Sequence, residues 1–74
     1  MTTNSPLTTN STHLFTNTFG TPYNTVERNL WSIGDGRFGV QTWLRFLSGN
    51  SFQDGWLFFD NPESARTFAE RSEY

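Results

Sequence analysis

Between residues 37 and 46 the chain alternates. Phe38, Val40, Thr42, Leu44 and Phe46 fall on one side of an extended backbone, and Arg37, Gly39, Gln41, Trp43 and Arg45 on the other. Successive side chains of a strand point to opposite faces, so this period of two predicts a strand with one buried face. A second apolar run, residues 30–33, precedes it across Asp35-Gly36. Asp-Gly between two such runs predicts a β-hairpin. A type I′ turn needs positive φ at both central residues, which Asp tolerates and Gly adopts freely. With those two residues as the loop and unbroken pairing beyond it, Ile33 is expected opposite Phe38 and Trp31 opposite Val40, all four on one face.

Residues 13–19 predict an edge strand, with Phe15 and Phe19 on one face and Leu14, Thr16 and Thr18 on the other; Gly20-Thr21-Pro22 ends it. Residues 24–28 admit two readings. Asn24 and Glu27 fit a capping box, and Val26, Leu30 and Ile33 recur at helical spacing. A helix reaching Ile33 would remove the hairpin, so a strand from about Glu27 is the better reading, with a short helical turn before it as the alternative. Residues 48–51 and 53–55 read as loop, and residues 56–59 as a short strand. At the C-terminus Asn61 is a candidate N-cap, Pro62 the first helical residue, and Glu63 an acid suited to the helix start. Ala65, Phe68 and Ala69 mark a narrow apolar face, and Arg66 and Glu70 an i,i+4 pair. Such a helix must dock on the sheet to persist. The fold class expected is α+β, a small antiparallel sheet of three to four strands with one C-terminal helix packed on one face.

Length and composition narrow this further. Seventy-four residues make one small domain, placed at 13–74 behind a flexible Thr/Asn-rich arm at 1–12. There is no cysteine, hence no disulfide framework and no thiolate metal site. Aromatics are 18% of the chain against 34% hydrophobic overall, so a few large side chains must carry the core. A net charge of −2 argues against a chain held to nucleic acid by bulk electrostatics. The five basic residues are all arginine, which excludes a lysine nucleophile or Schiff base. Residues 1–20 lack the basic start and apolar core of a secretory signal. No apolar run approaches the roughly 20 residues of a membrane span, so a cytoplasmic protein with no membrane contact is expected.

The chemistry on offer is sparse. His13 is the single histidine and reads as a surface residue. Asp35, Asp54, Asp60 and Glu63 lie in turns and caps, where acids serve the local backbone. Gly34, Gly36 and Gly39 match a dinucleotide fingerprint by letter, but a strand follows them where a helix is required. No catalytic residue, metal site or cofactor is expected, and the chain does not read as an enzyme. What remains is a surface. Arg37, Gln41, Trp43 and Arg45 line one face of the second hairpin strand, with Arg28, Leu30 and Ser32 expected beside them and Phe52 exposed in the following loop. Trp43 would either cover Gly39 beneath the N-terminal arm or meet a partner.

Arg37, Gln41, Trp43, Arg45, Leu30 and Phe52 are therefore the candidate partner-binding residues. Tryptophan and arginine are enriched where proteins bind one another. The function expected is a non-enzymatic protein-binding module. Its size suits an inhibitor or adaptor of phage or mobile-element type docking on a larger host complex, or a homodimer hiding Trp43 and Leu30 across a two-fold. The alternative is a single-stranded nucleic-acid binder that stacks bases on the same face.

Overall fold

The computed structural model describes residues 11–73. Four strands, β1 (Thr12–Gly20), β2 (Asn24–Gly34), β3 (Arg37–Phe46) and β4 (Ser51–Phe59), precede one helix, α1 (Pro62–Glu70). The strands form one antiparallel sheet in the order β1-β2-β3-β4, and α1 packs on one side of it. The α+β class is as expected, with four strands. The expected arm at 1–12 lies outside the described residues except for Ser11 and Thr12, and Thr12 already pairs with Ser32.

Two local readings change. The strand expected from about Glu27 begins earlier, at Asn24, with Asn24 opposite Phe46 and Arg28 opposite Thr42, and the alternative helical turn is not formed. β4 begins at Ser51, so residues 53–55 are not a loop. The pairing passes from Thr42↔Gly55 to Trp43↔Gln53, leaving Asp54 as an extra residue in an edge strand. Turn-forming side chains are absorbed there as a β-bulge, with Gly55 at φ 130°.

The hairpin turns where expected, with Asp35 at φ 55° and Gly36 at φ 71°. Its register does not. The pairing breaks between Ser32 and Gly34, so Ile33 has no partner and the strand slips by one. Ser32 faces Phe38, Trp31 faces Gly39 and Leu30 faces Val40. A slip of one residue exchanges the two faces of a strand. Leu30 therefore points to the helix side, where it is 3% exposed, and Trp31 points away from it.

That exchange builds the core. Leu30 and Val40 sit against Ala65 and Ala69, whose small side chains let the helix approach closely; Phe15, Phe38, Phe59 and Phe68 ring them. The helix start is capped as its sequence implies: Asn61 Oδ1 accepts from the Ser64 N–H at 2.8 Å, and Arg66 Nε reaches Glu70 Oε2 at 3.2 Å. Its end is capped from elsewhere, since α1 has no basic residue in its last turn. Arg28 of β2, expected on the outer face, instead lies beneath α1 at 5% exposure. Its guanidinium donates to the carbonyls of Arg71 and Glu73 at 2.8 Å each and of Phe68 at 3.5 Å. The same group lies 4.6 Å from the Phe68 ring centre and 5.0 Å from that of Phe19. The C-terminal end of a helix carries partial negative charge, so a buried cation bonded to carbonyls at and just beyond that end, and stacked on two rings, is stabilised twice over.

Arg28→Lys is expected to destabilise the fold by about 2–3 kcal/mol, because a compact ammonium cannot bridge carbonyls that a planar fork spans. Urea denaturation measures the loss, and amide exchange should show it centred on α1. A variant as stable as the parent would remove the capping role.

Candidate functional site

The side of the sheet opposite α1 is covered by no strand or helix among the described residues. Alternation along four paired strands lays out its side chains in rows. Reading from β1 to β4, the first row is His13, Trp31, Gly39 and Phe58; the second is Thr16, Asn29, Gln41 and Trp56; the third is Thr18, Glu27, Trp43 and Gln53. Arg45 stands in the fourth, between Thr25 and Ser51.

A polar chain crosses these rows diagonally. Thr16 Oγ1 donates to Asn29 Oδ1 at 2.7 Å, and Asn29 Nδ2 donates to Glu27 Oε2 at 3.0 Å. Since the Thr16 proton is committed to Asn29, the 2.6 Å contact from His13 Nε2 to Thr16 Oγ1 has the imidazole as donor. From the other side Arg45 grips both Glu27 oxygens, at 3.2 and 3.3 Å, and donates to Ser51 Oγ at 3.2 Å. The donors of the His13–Thr16–Asn29 chain and two of the Arg45 N–H groups all run toward Glu27. The Arg45 hydrogen bonds, then that from Asn29, hold its carboxyl below the ordinary 4.5 against a smaller opposing effect of burial. Gln41 Nε2 donates to Gln53 Oε1 at 2.7 Å, which satisfies a central amide that is 8% exposed.

Aromatic rings flank this chain. His13 meets Trp31 edge-on at 5.1 Å between centroids, and Trp56 stacks on Phe58 at 6.0 Å with 4° between the planes. The Arg45 guanidinium lies 5.3 Å from the Trp43 ring centre. Gly39 supplies the space under β4's pair. A Cβ there would come within 3.0 Å of the Trp56 ring and 3.3 Å of Phe58. Trp56, not Trp43, therefore covers Gly39, contrary to one sequence expectation. The indole N–H groups of Trp31 and Trp56 are shielded from solvent and donate to no acceptor among the described residues.

Of the six candidate residues, Gln41, Trp43 and Arg45 share this face, and Arg37 leads into it, exposed beside the hairpin turn. Leu30 does not; it lies under the helix on the other side. Phe52 pairs opposite Leu44, also on the helix side, and meets Phe46 edge-on at 5.8 Å while remaining 56% exposed. Trp43 and Leu30 thus lie on opposite faces, with Leu30 already covered by the helix. Trp31, Glu27 and Asn29 take the positions expected for Leu30 and its neighbours. Trp56 and Phe58 join them because β4 extends back to Ser51, so that its alternation, hidden in sequence by the Gln53-Asp54-Gly55 triplet, places both on this face.

Among the described residues no group of His, Asp and Glu is placed to hold a metal ion, and no helix is long and apolar enough to cross a membrane. No family model, curated protein or solved structure matches the chain.

The depressed Glu27 carboxyl contributes stability that is complete above its ordinary 4.5 and is lost as pH falls through the lower folded value. Glu27→Gln should therefore melt below the parent at neutral pH, by less than about 1 kcal/mol for a partly exposed, screened pair. The gap should close in acid. Thermal melts of both proteins across that range test this, and a gap that widens in acid would contradict it.

Proposed function

We propose that this chain is a small, non-enzymatic, cytoplasmic protein-binding module, an inhibitor or adaptor of the kind phages and mobile elements encode. It docks on a larger host protein complex through the helix-free sheet face. One observation carries the reading: Trp31, Trp43, Trp56 and Phe58 share a face that no described strand or helix covers, around amides that are already satisfied. Tryptophan anchors surrounded by internally paired polar groups match the composition of protein hot spots. Aromatic area of this kind also costs solubility unless a partner uses it.

Charge favours a protein over a nucleic acid. Arg45 is paired with Glu27 and Arg66 with Glu70, Arg28 serves the helix end, and Arg71 lies on the helix side away from this face. A strand of phosphates needs unpaired cations along its path, and this face offers chiefly Arg37. The parallel Trp56–Phe58 pair supports the second reading, that the rings stack the bases of a single strand.

The test is a tagged pull-down from source-cell lysate, with and without nuclease, using the parent and two variants. Trp43→Ala is expected to weaken capture of a stoichiometric protein partner by about 30-fold, the effect of losing a hot-spot aromatic worth about 2 kcal/mol. Phe52→Ala, on the opposite face, should leave capture unchanged. Capture that vanishes with nuclease would favour the nucleic-acid reading, and capture indifferent to Trp43→Ala would refute this face.

A further inference from the structure

Among the described residues β4 is an edge with no strand paired on its outer side, and its second half lacks the usual protection. Natural edge strands are blunted by charge, proline or a bulge. β4 has its bulge at Asp54, and beyond it runs Trp56-Leu57-Phe58-Phe59, four large apolar residues with neither charge nor proline. Leu57 and Phe58 are 47% and 45% exposed. The opposite edge differs, because β1 breaks register between His13 and Phe15 and interleaves its aromatics with Thr and Asn. Beside β4 on the helix side lies an open groove of about 460 Å³, floored by Leu57, Phe59 and Phe68. A strand added to β4 would send alternate side chains into it.

The wall of that groove indicates which strand fits. It is the flank of α1 carrying Glu63 and Thr67, continued past the helix end by the C-cap residue Arg71. Arg66 and its pair to Glu70 lie outside this flank, and Arg66 instead reaches across β1's Phe15 at 4.6 Å. The groove wall is thus acidic at one end, basic at the other and neutral at its midpoint, Thr67. A two-fold axis reverses such a sequence onto itself, setting Glu63 against Arg71 of a second copy and Arg71 against its Glu63. Only an isologous contact requires one surface to be its own complement.

We propose that β4 pairs antiparallel with β4 of a second copy, joining two sheets into one of eight strands, with the Glu63–Arg71 flanks of the two helices facing across the two-fold. The bond from Arg71 to its own Glu73 is long, at 3.6 Å, and exposed, so the guanidinium is available for exchange. Trp56 and Phe58 then lie beside the axis, and the two aromatic faces become one. This pairing stands whether or not that face binds a further protein.

Sedimentation velocity on the full chain over a range of concentrations tests it. The parent is expected to be dimeric, and Leu57→Lys monomeric with an unchanged circular dichroism spectrum. Glu63→Arg and Arg71→Glu should each weaken self-association about tenfold, as like charges meet across the axis. Mixing those two variants, or combining both changes in one chain, should restore it. The charge variants keep the test sharp should Leu57→Lys fail to fold, since both positions are exposed. A parent that stays monomeric at every concentration would overturn the pairing. So would a dimer indifferent to Leu57→Lys and to both reversals, or one that the combined variant fails to restore.

Discussion

The buried guanidinium of Arg28 is the constraint on which the other features depend. A nine-residue helix in isolation does not persist in water, and this one has no basic residue in its own last turn. Arg28 provides the missing charge from the sheet, through bonds to Phe68, Arg71 and Glu73, and Asn17 adds a further donor to the Arg71 carbonyl at 3.3 Å. Fixing that end fixes the angle at which α1 crosses the sheet. The angle brings Ala65 and Ala69 over Leu30 and Val40. Arg28 and Leu30 are two positions apart on one strand, so a single stretch of β2 supplies both the clamp and the centre of the core.

One consequence is an unequal division of labour between the two faces. The helix side holds the few fully buried aliphatic groups, and small residues on α1 keep that layer thin. The other side is held by rings lying on neighbouring strands and by a directed chain of polar groups ending at Glu27. Its order does not require a covering layer. It can therefore remain a defined surface in the free protein, and a binder that is already ordered loses less entropy on association than one that must fold to bind.

Much of this was legible from local signals. The strand at β3, the Asp35-Gly36 turn, the Asn61 cap and the Ala65-Phe68-Ala69 face each concern residues close in sequence, and each is found where its pattern implies. At the middle of β3, however, both faces are buried, through Gly39 and Gln41 as well as Val40 and Thr42. Gln41, Trp43 and Arg45 were grouped on one face for the same reason, since β3 has no break among them in its pairing with β2. The bulges at Ile33 and Asp54 were not legible, nor was the register shift between His13 and Phe15. At Ile33 hydrophobicity favours the wrong register, because Trp31 and Ile33 outweigh Leu30 and Ser32 as core candidates. What the observed register achieves is tertiary: it sets Leu30 against Ala65 and Ala69 and delivers Arg28 to the helix end. At Asp54 a polar triplet that resembles a loop is accommodated in an edge strand, where one neighbour is absent. Leu30 was lost from the candidate face by the first bulge, and Trp56 and Phe58 were hidden by the second.

The same slip has an optical consequence. By moving Trp31 across the sheet it gathers all three indoles of the chain onto the side away from α1, each on a different strand. The helix side contains phenylalanine but no tryptophan. Intrinsic emission excited at the indole band is therefore a reporter of one surface alone. It would follow whatever covers that surface, and it would register events at the helix only through the backbone between them. The molecule carries its own single-sided label.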